Sequence, residues 1–131
     1  MSEIAPARPE KLPGERETFH EVNGLRLRVR IWGDDHAPTV VLLHGLRGFS
    51  GTWRGLAQRL SGSFRLIALD QRGRGESDWD PDRNYYTDAY LADLVAMVEQ
   101  LGLERFSLLG HSMGGTTAYV YAAQYPEHLN A

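Results

Sequence analysis

Leu25, Leu27, Val29 and Ile31 alternate with Arg26, Arg28 and Arg30. Successive strand side chains point to opposite faces, so the pattern predicts a strand with one buried face and one solvated arginine face. Asn23-Gly24 supplies the paired positive-φ positions of a two-residue turn, so residues 18–22 and 25–32 are expected to form a hairpin. The turn-rich stretch 33–38 is followed by Thr39-Val40-Val41-Leu42-Leu43, an unbroken apolar run that suits a strand buried on both faces. Residues 64–69 and 106–109 read as two more strands of that kind. Between them the period changes. Trp53, Leu56, Ala57 and Leu60 recur at helical spacing before Gly62, and Leu91, Leu94, Val95, Val98 and Leu101 share one face of a helix over 87–101. Thr87 or Asp88 is expected to cap that helix and Gly102 to stop it. A last helix should run from Ser112 to about Tyr125, where Pro126 ends it. A hairpin followed by strand–helix repeats predicts an α/β fold: a mixed, mainly parallel sheet with helices on both faces.

The chain has 131 residues, a usual size for one domain, with 42% hydrophobic and 24% charged residues. A net charge of −3 gives no electrostatic case for nucleic acid or an anionic membrane. There is no cysteine, which excludes disulfides and thiolate metal sites. No apolar run is long enough to span a bilayer, and the N-terminus has no signal-peptide pattern, so a cytoplasmic location is the default expectation. Residues 1–16 hold three of the six prolines and several charges, and read as a flexible arm before a domain at 17–131.

The chemistry gathers where strands end. Gly110-His111-Ser112-Met113-Gly114 follows the third apolar strand and opens a helix rich in small residues. G-x-S-x-G in that setting is a nucleophile elbow, in which a tight strand-to-helix turn lifts the serine oxygen clear of its neighbours. The helix start places free N–H groups and a partial positive charge beside any oxyanion that forms. His44-Gly45-Leu46-Arg47-Gly48 follows the first apolar strand, and Asp70-Gln71-Arg72-Gly73-Arg74-Gly75-Glu76-Ser77 the second. Ligands of an open α/β sheet bind at the carboxyl ends of its strands, so all three motifs converge on one edge. The 70–77 segment lacks phosphate-loop spacing and is read as a brace between loops.

With the leading hairpin, these motifs closely resemble the N-terminal half of an α/β-hydrolase, over nearly all of the chain from Thr18. The likeness is strongest to the soluble serine esterase, carbon–carbon hydrolase and perhydrolase branch. The resemblance implies Ser112 as nucleophile, with Met113 N–H and Leu46 N–H as the oxyanion donors. It also implies His44, Gly45, Gly110 and Gly114 as supporting residues, His44 by holding the oxyanion loop in shape. It implies a small-molecule acyl substrate and no cofactor or metal. Dehalogenases and epoxide hydrolases resemble this scaffold but carry aspartate where Ser112 stands.

A serine needs a base, and family members place an acid and then a histidine after it. Only Glu127 and His128 follow Ser112 in that order. They are adjacent, expected to diverge, and roughly 18 Å from the elbow at the helical rise. His111 is expected to point away from the serine, and His20 and His36 belong to the hairpin and the turn after it. The expectation is therefore an α/β-hydrolase chain truncated after the elbow helix, without its acid and histidine and inactive or nearly so on its own. The third apolar strand would then be an unpaired sheet edge, open to self-association. The alternative is a non-catalytic remnant that uses this edge to bind a partner.

Overall fold

The computed structural model describes residues 11–131. One five-stranded sheet carries the fold, with β1 (Arg16–Val22), β2 (Leu25–Trp32), β3 (Thr39–Leu43), β4 (Arg65–Leu69) and β5 (Ser107–Gly110). Their order across the sheet is β1-β2-β4-β3-β5. The β1–β2 hairpin turns on Asn23 (φ 51°) and Gly24 (φ 80°), the pair of positive angles its sequence predicts. β2 runs antiparallel to β4, while β3 lies parallel between β4 and β5. The three apolar strands are thus adjacent and parallel, with the hairpin extending one side, as expected.

Alternation along the inner strands sorts the core into two layers. Val41, Leu43, Ile67 and Leu69 face one way with Leu27 and Val29, against Leu94, Met97 and Val98 of α2 (Thr87–Gln100) and Tyr121 of α3 (Met113–Gln124). Leu42, Leu66, Ala68 and Trp32 face the other way, against Ala57, Leu56 and Leu60 of the short α1 (Arg54–Leu60). Burial on both faces is what the unbroken apolar runs required. Helix α2 stops as a Schellman motif: Gly102 adopts φ 65°, its N–H reaches Glu99 O, and Leu103 N–H reaches Val98 O. Its start differs from expectation. Tyr86 is the N-cap residue and makes no side-chain cap; Asp88 instead sits in the first turn, its carboxylate accepting from Ala89 N–H.

The arginine face of β2 is not solvated. Arg26 is exposed, but Arg28 and Arg30 are buried under the loops that follow β3 and β4. The loop after β4 and residues 11–15 bring carboxylates onto that face, and the loop after β3 brings the Ser50 hydroxyl. Arg28 Nε donates to Asp70 at 2.8 Å, and Arg30 Nη1 donates to Glu15 at 2.9 Å. Buried cations persist where such partners are present. Glu15 also accepts from Trp32 Nε1 and Arg54 Nε, each at 2.9 Å. Residues 1–10 of the expected arm lie outside the described residues. Glu15, within the same expected arm, is packed into the fold.

The expectation of a bare edge at β5 is also corrected. After a short 310 turn, Pro126–His128, the chain runs parallel to β5. Phe106 N–H donates to His128 O, Asn130 N–H to Phe106 O, and Leu108 N–H to Ala131 O. The outward-facing backbone groups at the start of β5 are therefore paired. β5 is half-buried rather than fully buried, and Leu109 is exposed.

Candidate active site

The carboxyl ends of β3, β4 and β5 point to the same edge of the sheet, as parallel strands must. His111 N–H donates to Leu43 O at 3.0 Å, which fastens the turn after β5 to the end of β3. Ser112 follows at φ 53° and ψ −115°, a conformation that costs a non-glycine residue on the order of 1–3 kcal/mol. It occupies the N-cap position of α3 without using its hydroxyl as a cap. The side chain is exposed, and its oxygen makes no hydrogen bond to another described residue. The first bonds of the helix run from Gly114 N–H to His111 O and from Thr116 N–H to Ser112 O. Met113, the first helical residue, takes its N–H to the open helix end.

Two glycines permit this turn. A Cβ at Gly110 would collide with the carbonyl of Gly114, and a Cβ at Gly114 with the carbonyls of Leu43 and His44. Backbone therefore packs directly on backbone between β5, α3 and the end of β3.

The loop after β3 closes as a turn, with Gly48 N–H donating to Gly45 O at 2.9 Å and Leu46 and Arg47 at its tip. His44 lies fully buried beneath it. Gln71 N–H donates to His44 Nε2 at 3.0 Å, so the ring proton sits on Nδ1, which donates to Gly45 O at 2.7 Å. Burial pushes the His44 pKa below its ordinary value, which keeps the ring neutral. Gln71 returns a second bond from its amide to His44 O. Both ring nitrogens are occupied, which fits a loop-holding role and leaves neither free to act as a base.

Asp70 completes the brace. Its buried carboxylate accepts from Arg28 Nε, from Ser50 N–H at 2.6 Å and from Glu76 N–H at 2.9 Å. Ser50 opens a 310 turn, Ser50–Trp53, immediately beyond the 44–48 loop. Its hydroxyl accepts from Arg30 Nε at 2.7 Å. The 70–77 segment thus ties the loop after β3 to β2, as its reading as a brace expected.

Ser112 shares a cleft of about 280 Å³ with Gly45, Leu46, Arg47, Gly48, Thr52 and His111. Beside it lies a larger, also mainly apolar cleft of about 460 Å³, walled by Trp53, Leu56, Leu109 and the 110–111 turn. The serine is thus brought to the loop that carries Leu46, not buried away from it.

The histidines divide as follows. His111 packs over Gly45, where a Cβ would stand 2.9 Å from its Nδ1. His20 is bonded to Thr18 on β1, and His36 is exposed in the turn after β2. His128 Nδ1 meets Tyr121 Oη at 2.7 Å, and its ring stacks on Tyr125. Contrary to expectation, Glu127 and His128 do not diverge fully, since Glu127 Oε1 lies 3.8 Å from His128 Nε2. No histidine among the described residues hydrogen-bonds to Ser112.

Sequence reasoning missed Glu15 and the pair Arg72–Asp93. Asp93, buried on α2, takes both Arg72 Nε and Nη2 and also the Asn23 amide, clamping the 70–77 loop to α2 and the hairpin turn. A polar residue at an otherwise apolar helix position was the one available signal.

Strained elbow, helix start and facing loop on a mixed sheet, two antiparallel and two parallel strand pairs, define an α/β-hydrolase architecture. The model of the alpha/beta hydrolase fold family matches residues 38–131, and the chain belongs to that family. It is 44% identical over 103 residues to N-formylmaleamate deformylase of Pseudomonas putida, covering 78% of this chain and 38% of that protein. It is 42% identical over 106 residues to a serine hydrolase-like protein of Danio rerio, covering 80% and 32%. A crystal structure of an epoxide hydrolase from Vigna radiata superposes with a TM-score of 0.84 at 27% identity, covering 91% of this chain and 39% of that one. The chain thus spans about a third of the length of these curated relatives. No described helix is long and apolar enough to cross a membrane.

Proposed function

We propose that this chain carries the nucleophile and oxyanion donors of a serine hydrolase that works through an acyl-enzyme on a small ester or related acyl substrate. One observation carries the reading: Ser112 is held strained and exposed at the start of α3, in a cleft shared with the loop of Leu46. Its oxygen attacks the substrate carbonyl as its proton passes to a histidine. The oxyanion is held by Met113 N–H and Leu46 N–H, each worth about 3 kcal/mol in the transition state. The carbonyl–leaving-group bond then breaks, the leaving group takes the proton, and water repeats the sequence to release the acid. A serine at this position favours acyl transfer over the aspartate-dependent opening of epoxides. Similarity to a deformylase and to a serine hydrolase-like protein points the same way.

No histidine among the described residues is hydrogen-bonded to Ser112 to act as that base. Without that base a serine triad loses about a millionfold in kcat. A neutral fluorophosphonate tests the reading, with labelling mapped by mass spectrometry. Slow labelling confined to Ser112, absent in Ser112→Ala, is expected, together with negligible ester turnover by these 131 residues. Adding the C-terminal part of a relative as a second chain should raise both. Labelling elsewhere, or efficient turnover by the chain alone, would refute it.

A further inference from the structure

We propose that Arg47 makes this a site for acyl substrates bearing a carboxylate, held at the tip of the loop that also carries Leu46. The inference rests on the reading of Ser112 as nucleophile. Among the residues lining the Ser112 cleft and the apolar cleft beside it, Arg47 is the only aspartate, glutamate, lysine or arginine. Its guanidinium makes no ion pair or hydrogen bond to a described residue. That sets it apart from Arg28, Arg30 and Arg72, each committed to a buried carboxylate. A second guanidinium adds to the field. Arg74 Nε donates to Leu46 O at 2.6 Å and Nη1 to Gly73 O, with no carboxylate partner among the described residues. The cleft of a chain with net charge −3 is therefore locally positive.

Geometry narrows the ligand further. Arg47 directly follows the residue whose N–H would meet the oxyanion and lines the same cleft as Ser112, so its fork is placed for a group near the reacting carbonyl. A planar guanidinium matches a carboxylate with two parallel hydrogen bonds. The neighbouring cleft walled by Trp53, Leu56 and Leu109 suits an apolar segment of the same substrate. The substrate class is a short acyl compound with one anionic and one apolar arm.

The test is an NMR titration of the 15N-labelled chain with monomethyl succinate and with its uncharged analogue, dimethyl succinate. The readouts are the amides of Leu46, Arg47 and Gly48 and the Arg47 Nε–H. The monoanion is expected to bind about tenfold more tightly than the diester, the value of one charge-assisted pair, and to weaken as salt rises. Arg47→Gln should erase the difference, and Arg47→Lys should keep part of it. Equal binding of the two esters, binding of neither, or a preference that survives in Arg47→Gln would overturn the proposal. Neutral fluorophosphonate labelling of Ser112 is read separately on the same samples. Its loss with the anion preference intact would strike the nucleophile reading, not the role of Arg47.

Discussion

Replacing Glu15 by glutamine tests whether the segment before the sheet is part of the folded structure. The Glu15 side chain is 3% exposed and lies between Arg30 and Arg54, with Trp32 Nε1 as a third donor. Burial alone would raise its pKa. Hydrogen bonds from Arg54 and Trp32 and the charges of Arg54 and Arg30 outweigh that and hold it down from 4.5 to about 2. At about 1.4 kcal/mol per pH unit, that difference contributes about 3 kcal/mol of stability. A carboxyl whose pKa is depressed by folding contributes fully above its unfolded value of 4.5 and loses that contribution as pH falls toward about 2. Glutamine keeps the shape but removes the charge and turns an amide N–H2 toward guanidinium groups. Breaking a buried pair by one partner costs roughly 3–5 kcal/mol. Urea unfolding of wild type and Glu15→Gln should therefore differ by about 3 kcal/mol at neutral pH, and the gap should close as pH falls below 4.5. A gap below about 1 kcal/mol, or one that does not change with pH, refutes the reasoning.

Gly114→Ala should cost about 1–3 kcal/mol in urea unfolding, because the new methyl meets the carbonyls of Leu43 and His44 rather than a side chain that can move. Asp93→Ala leaves Arg72 without its two-point partner in the interior and should lower stability by about 3–5 kcal/mol, with Asn23→Ala far milder. His44 binds its proton less readily folded than unfolded, so it lowers stability as pH falls below 6.5. His44→Gln should remove that part of the pH dependence and still leave a protein weaker at neutral pH, as read by thermal unfolding across the range. Ser112→Ala should abolish fluorophosphonate labelling and shift the urea midpoint little, since the hydroxyl makes no hydrogen bond to a described residue.

The sheet was legible because β3 and β4 must be apolar on both faces to sit between two helical layers, and Asn23-Gly24 admits few turns. The elbow was legible because the tight turn after β5 leaves almost no choice but glycine at 110 and 114. The arginines of β2 were misread for a physical reason. A polar face on a strand has the same sequence whether it meets water or carboxylates, and here those carboxylates arrive from positions 15 and 70. Residues 126–129 read as a turn leading into a further strand, but the few extended residues there carry no period that would show their pairing with β5. Glu15 sat among prolines and charges, where composition argues for a loose chain. Which histidines touch what depended on burial, and no spacing rule reports that.

The meeting of Gly110, Gly114 and Leu43 main chain has a consequence for how this architecture can diversify. The position of residue 112 is set by contacts between peptide groups, which every sequence has, and not by the side chains that surround it. The side chains of Leu109, His111, Thr52, Trp53 and Leu56 form the walls of the clefts without being part of that main-chain fixture. On the proposed reading of Ser112 as nucleophile, those five side chains can be exchanged to admit a new substrate while residue 112 stays where it was. Selection can therefore act on specificity and on the elbow almost as separate traits.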